Sequence, residues 1–515
     1  MSLAEGLQCS TCGRFPSSPR ARRCDRCGSS LNVRYDLETA KEYLTRDVLE
    51  RRRPGLWKYE EILPLRNPEM RVSLGEGGTF LHRCIRLADE FGLSQLSLKD
   101  ETMNPTGAFL DRGMSVEVSV ARENGVGGLS CGSTGNLAVS LVAYAARAGI
   151  RTKVFFAHGD SVDVGKFYQI LAYGPELEIV GEREDGEKRA ESLGDGWHPV
   201  LPVNPNFLEG VRTTAFEISE QCGWELPDWL VVPMGSGGHI SRIWKALREL
   251  TELGLIGGHL PRLVGVQTKG CQPIVQSFVA GSREVMTCDA GSTIALDIAV
   301  GEPLCGTDAL KAIRESGGLA LSVSDRDTLA SIGLLAKREG VFVEPASATT
   351  IAALSDMLAS GQIDRSDSVV CVVTGMGLKY PEIARSLVKG RPQLEDLLGR
   401  YEGRSYTTEI GRTKQVILQI LMAGESYGYE LWKRMSRERG IAVRIPSVYQ
   451  HLSELRRGGL VHVVRTERSY DKRTRHYYGL TDTGWSVARQ LSELSREGTA
   501  AHRRSVLSDH EQCQD

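Results

Sequence analysis

Apolar residues follow two rhythms along the chain. Short unbroken apolar runs recur at Lys153–Ala157, Trp229–Pro233, Leu263–Gln267 and Ser368–Thr374. They lack the polar alternation of a half-exposed strand and predict strands buried on both faces. Between them lie segments of helical period, among them Leu137–Arg147 and Ile240–Leu250. From about Val72 to Lys389 the two rhythms alternate, which predicts an α/β body with parallel strands and helices on each side. Ligands in such sheets bind beyond the carboxyl ends of the strands, so the turns there are where chemistry is expected.

After about Gly403 the pattern changes. Arg412–Met422 is apolar on one face, a second helical segment runs through Tyr427–Lys433, and a third runs from Pro446 to Leu460. Pro446 suits a helix start and Gly458-Gly459 a stop. Two strand-like runs follow, Leu460–Thr466 and Arg475–Leu480, joined by the polar stretch Glu467–Thr474. They predict a hairpin with Arg468, Lys472 and Arg473 near its tip. Trp485–Leu494 reads as a closing amphipathic helix. Three helices and a basic hairpin make a winged helix-turn-helix.

Charge sharpens that reading. The chain carries a formal net charge of −2, yet residues 404–505 hold 19 Lys/Arg against 10 Asp/Glu. A basic surplus on this fold points to duplex DNA, with a protein-interaction module as the alternative. On the third helix Ser447, Gln450, His451, Glu454 and Arg456 share the polar side expected to face the major groove, while Val448, Leu452 and Leu455 recur at core spacing. The wing cations would neutralise phosphates.

At 515 residues the chain has room for about three domains. No apolar run approaches a membrane span, and the start, Met1-Ser-Leu-Ala-Glu-Gly6, lacks a secretory pattern. Twelve cysteines without such a signal predict reduced thiols and metal ligands in a cytoplasmic protein. Four of them form Cys9-x-x-Cys12 and Cys24-x-x-Cys27. Two such knuckles complete a tetrahedral shell with no open position, which predicts a structural zinc in a ribbon over residues 1–35. The other eight, Cys84 and Cys131 among them, read as packed thiols.

Two glycine-rich turns sit at predicted strand ends: Gly235-Ser-Gly-Gly-His239 and Cys131-Gly-Ser-Thr-Gly-Asn136. Backbone amides at a helix start can cradle a phosphate there, although a strand, glycines and a helix also make an ordinary tight turn. Further stretches accompany them in order. They are Ser73-Leu-Gly-Glu-Gly-Gly-Thr79, Leu98-Lys-Asp-Glu101, Asn104 to Gly113, Val164-Gly-Lys166, Leu208-Glu-Gly210, Glu344-Pro-Ala-Ser-Ala348 and Thr374-Gly-Met-Gly-Leu-Lys379. Together with the cysteine knuckles they resemble the threonine synthase family of pyridoxal-phosphate (PLP) enzymes across roughly 380 residues.

That resemblance implies a two-lobed PLP fold type II body, similar to the tryptophan synthase β subunit, over residues 36–400. It implies that Gly235, Ser236, Gly237, Gly238 and His239 hold the cofactor phosphate. Asn136 would bond the ring hydroxyl and Thr374 would meet the pyridine nitrogen. Family members convert phosphohomoserine to threonine and phosphate. Residues 404–515 resemble the PadR family of transcriptional regulators, through Gly428-Tyr-Glu-Leu431, the Val-Tyr-x-x-Leu-x-x-Leu of the third helix, and Tyr477-Tyr-x-Leu-Thr-x-x-Gly484. In that family the closing helix pairs two subunits, so a homodimer is expected.

The departures gather where chemistry would occur. Leu110 stands where the family holds the lysine whose amine forms a Schiff base with the cofactor, and leucine has no nitrogen to form one. Met376 and Tyr380 replace a more usual His and Asp, while His239 and Phe80 replace Asn and Pro. Lys99, Lys166 and Lys379 lie in motif segments near strand ends and are the candidate substitute amines. Three readings follow. One is a transcription factor whose degenerate body senses a phosphorylated or amino-acid ligand, with PLP bound non-covalently if at all. The second is an active threonine synthase with an autoregulatory DNA-binding domain. The third is a scaffold using neither site.

Overall fold

Trp229–Pro233 and Ser368–Val373 lie side by side in a six-stranded sheet ordered Leu319–Val323, Arg262–Thr268, Trp229–Pro233, Ser368–Val373, Gln95–Asp100 and Leu81–Arg83. The first five strands run parallel and the last antiparallel. Every residue of Trp229–Pro233 is buried, as an unbroken apolar run in a helix-covered parallel sheet requires. A second sheet of four parallel strands is ordered Glu176–Val180, Arg151–Ala157, Gly128–Cys131 and Trp197–Pro199. In each sheet one strand runs through a glycine-rich turn into a helix: Gly128–Cys131 into Asn136–Ala148, and Trp229–Pro233 into Gly238–Glu252.

The computed structural model describes residues 2–18, 21–157, 163–181, 183–388, 411–439, 441, 443–468, 474–489 and 491. The chain divides into two compact units, residues 1–387 and 388–515. Within the first, Ala4–Cys9 pairs antiparallel with Leu31–Tyr35. This pair of strands packs with the rest of the unit. Val33 and Tyr35 are buried in the same apolar core as Phe216, Leu230 and Trp244, so Leu31–Tyr35 belongs to the body's packing.

The second unit contains helices Arg412–Leu421, Gly428–Arg439 and Ile445–Arg457, with Pro446 in the first turn of the last. Its antiparallel sheet is ordered Ser426–Tyr427, Thr474–Leu480 and Val461–Arg468. Val448, Leu452 and Leu455 point into its core with Ile417, Leu431 and Leu480. Residues 482–489 are helical, and Val487, Ala488 and Leu491 complete that core. Lys472 and Arg473, the end of the closing helix and the stretch joining the units lie outside the described residues, as does the Arg468 side chain. Among the described residues no helix is long and apolar enough to cross a membrane.

Candidate functional site

Both glycine-rich turns open on one cavity of about 290 Å³. Asn136, Gly235, Ser236, Gly237, Gly238, His239 and Thr374 all line it, and so does Leu110. Residues from both sheets are thus brought together at strand carboxyl ends, where an open α/β fold leaves a crevice.

One end is shaped for an anion. Gly237 has φ 84°, and a Cβ there would sit 2.8 Å from the Cys305 carbonyl oxygen, so no side chain fits. Among the described residues the amides of Gly235, Ser236 and Gly237 donate to no protein acceptor. Gly238 opens a 15-residue helix whose dipole adds to their pull on negative charge. His239 stacks on Phe109 with ring centroids 4.3 Å apart, and its Nε2 lies 3.2 Å from Thr214 Oγ1. Burial pushes its pKa down to about 4, so the ring is neutral at pH 7. Its buried Nδ1 has no protein partner.

The other end is crowded with carboxylates. Glu344 Oε2 accepts from Asn136 Nδ2 at 2.9 Å, and Glu344 Oε1 accepts from Thr374 Oγ1 at 2.7 Å. One acid therefore bridges the two residues assigned to the cofactor ring. Lys166 Nζ lies 2.9 Å from Asp297, 3.1 Å from Asp163 and 2.6 Å from the Tyr380 hydroxyl, which itself donates to Asp297. Lys379 Nζ donates to Asn136 Oδ1 at 2.9 Å. Burial, with Asp297 adding repulsion, raises Glu344 to about 7. Burial also lowers the Lys379 pKa. For Lys166 burial acts against the charge, but Asp297 and Asp163 outweigh it and the pKa rises.

A model of the pyridoxal-phosphate dependent enzymes matches residues 72–375, and one of the PadR-like transcriptional regulators matches residues 417–490. The threonine synthase of Methanocaldococcus jannaschii is 40% identical over 380 residues, 73% of this chain and 93% of that protein. The threonine synthase of Methanosarcina acetivorans is 39% identical over 381 residues, again 73% of this chain and 92% of the relative. This chain belongs to the pyridoxal-phosphate dependent enzyme family. It carries a PadR-like domain after that body. A fungal L-serine ammonia-lyase from Rhizomucor miehei shares the fold, with TM-score 0.52 at 20% identity over 60% of this chain and 98% of that one.

The family's cofactor can be tested against the residues present. The free amides, the turn too tight for any Cβ and the orphaned His239 nitrogen fit its phosphate. Leu110 begins the helix Leu110–Glu123 and faces the cavity with no amine. Lys99 does not take over, which corrects its place among the substitute amines. Its Nζ donates to the Thr79 carbonyl, Glu217 and Gln221 at 2.7, 2.7 and 3.0 Å, inside a buried network away from the cavity lining. Arg112 centres that network, bonding Glu101 at 2.5 and 2.7 Å and Glu217 at 2.7 Å. Lys166 lines the cavity, and Lys379 touches it through Asn136.

Sequence reasoning quoted Glu344 as part of a motif but gave it no role. It missed Asp163 and Asp297 entirely, since neither is marked by spacing or by neighbours. Tyr380 was noted only as a departure, although its buried hydroxyl sits among Lys166, Asp297 and Glu344.

At the N-terminus the ligand atoms of Cys9, Cys12, Cys24 and Cys27 lie within 4.8 Å of one another. Gly13 and Gly28, both at φ 71°, close the two knuckles, their amides bonding the Cys9 and Cys24 carbonyls. A soft tetrahedral donor set of this size suits zinc. Cys84, Cys131, Cys305 and Cys371 are buried, and burial raises each thiol's pKa. Two of the scattered cysteines in fact meet: Cys271 and Cys288 have sulfurs 3.8 Å apart.

On the third helix of the second unit Gln450 and Arg456 are exposed, and Ser447 and His451 half-buried. Gln450 Nε2 donates to Glu454 at 3.0 Å, His451 Nδ1 lies 3.4 Å from the same carboxylate, and Lys414 pairs with it at 2.9 Å. These bonds, that of Lys414 foremost, hold Glu454 down at about 2. Glu454 thus orients Gln450 and His451. In the wing, Arg465 lies over the Tyr477 ring at 3.6 Å and pairs with Glu425.

Proposed function

We propose that this protein is a metabolite-responsive transcriptional regulator, in which a threonine synthase-like body senses a ligand and the PadR-like domain binds duplex DNA. The observation that carries the reading is Leu110 lining a cavity whose phosphate turn is kept. The body retains the means to hold a cofactor-like anion and lacks the amine at the family's covalent position. Asn136, Thr374 and the turn from Gly235 to His239 would hold a ligand by hydrogen bonds alone. Cys9, Cys12, Cys24 and Cys27 would hold one structural zinc, expected as a stoichiometric ion by metal analysis of protein purified without chelator.

In the DNA-binding half, Ser447, Gln450, His451 and Arg456 would face the major groove, with Arg468, Lys472 and Arg473 on phosphates. The expected species is a homodimer on a palindromic site. A ligand can change DNA affinity only by binding the DNA-competent arrangement differently from the incompetent one.

The second reading, a threonine synthase with an attached regulatory domain, is favoured by one observation: the buried Lys379 amine beside Asn136. In that reading the cofactor supplies an electron sink for bond changes at the substrate's α-carbon. Lys379 would hold and move a proton at its Nζ, a role its lowered pKa suits. Borohydride treatment of the wild type with PLP separates the two. The regulator reading expects no fixed adduct, and a new one in Leu110→Lys. An adduct mapped to Lys166 or Lys379 in the wild type would establish the enzyme reading instead.

A further inference from the structure

The two ends of the cavity differ in charge, and the difference narrows the ligand. At the glycine turn, neutral donors await an anion. At the Asn136 end, three carboxylates share two ammonium groups. Lys166 Nζ serves both Asp163 and Asp297. Lys379 Nζ donates to an amide oxygen, not to an acid. Glu344 takes its two shortest bonds from uncharged donors, Asn136 and Thr374, and is buried to 2% exposure. A buried carboxylate without a cation is costly, and a ligand that brings one removes the cost.

Chemistry says where that cation would sit. In the cofactor the ring hydroxyl and the carbon bearing the reactive substituent are neighbours. That hydroxyl is flanked by the substituent on one side and a methyl group on the other; with the substituent turned toward Glu344 and Asp297, which meet Asn136 Nδ2 at 2.9 and 3.4 Å, its charge would meet theirs. Leu110 lines the same cavity. An aldehyde there would find no lysine at the family position and would face carboxylates with an uncharged, acceptor-only oxygen. An ammonium would donate to them.

Resting on the reading of this cavity as a non-covalent cofactor site, we propose that it takes the amine form of the cofactor, pyridoxamine phosphate, in preference to the aldehyde. The phosphate occupies the Gly235–Gly238 turn, and the ammonium completes the charge of Glu344 and Asp297.

Calorimetric titration of the full chain with pyridoxamine phosphate, PLP and pyridoxine phosphate, which carries a hydroxyl in place of the amine, tests this. The amine form should bind about tenfold or more tightly than either of the others, the range of a desolvated charge pair. In Glu344→Gln and in Asp297→Asn the ratio of amine form to pyridoxine phosphate should shrink to about threefold or less. PLP binding as tightly as the amine, or a ratio unchanged in both variants, overturns the inference while leaving the cofactor-site reading in place. If none of the three compounds binds, that reading falls and the inference with it.

Discussion

Arg112, Lys99, Glu101 and Glu217 form one buried charge group in the body; Asp163, Lys166, Asp297, Glu344 and Lys379 form another. The first is matched, with two cations facing two carboxylates and the strongest donors aimed at acids. Burial opposes the charge on Glu101 and Glu217, but Arg112 outweighs it and holds both below the usual carboxylate range. The second group, of which all but Lys379 line an open cavity, has one acid too many and raises Glu344 instead. The second group is also less enclosed, with the Asp163 and Asp297 side chains 19% and 22% exposed. What separates closed scaffold from receptive site is whether the charges balance within the protein. Arg112 lies two residues past Leu110, so the matched group adjoins the lining of the cavity.

The largest test of this contrast is Arg112→Met. It strands Glu101 and Glu217 as buried acids and should cost about 3–5 kcal/mol in denaturant unfolding. A loss below about 1 kcal/mol would mean the first group is not the matched network described.

The second test has the opposite sign. Because the folded pKa of Glu344 is raised to about 7, the stability its protonated form contributes is present below its unfolded value and lost as pH rises through 7. Glu344→Gln should therefore be more stable than ligand-free wild type at pH 8, by roughly 1–3 kcal/mol, and the two should converge at about pH 4, below the unfolded carboxyl's own value. Urea melts at both pH values suffice. A variant less stable than wild type at pH 8 would show that Glu344 is matched after all.

The smallest effect is at the surface of the second unit. Glu454→Gln should leave the melting transition unchanged, since exposed pairs add little. It should alter which operator sequence is preferred, by freeing Gln450 and His451. A uniform change in affinity across sequences, with preference intact, would place Glu454 among groups acting only through the overall field.

Much of the fold was legible because its signals are local. The unbroken run at Trp229–Pro233 and the helical period after Gly238 needed only neighbours to be read, as did Pro446 and the apolar spacing of Val448, Leu452 and Leu455. Seven cofactor residues assigned by resemblance do line one cavity. The roles of the lysines were not legible. Lys99 and Lys379 both sit in motif stretches at strand ends, yet one donates to Glu217 from 118 positions away and the other to Asn136 from 243 positions away. No local pattern carries such a pairing.

The sequence alone determined the buried strand runs, the paired cysteine knuckles, the glycine-rich turns and the helical segments after Gly411, because each depends on residue type and short spacing. Only the tertiary structure decided that Val33 and Tyr35 tie the N-terminal strand pair into the body's core, that Lys99 serves Glu217, and that Asp163, Asp297 and Glu344 converge on one cavity. Charge balance is a sum over groups brought together by folding, and the chain order of those groups does not contain it.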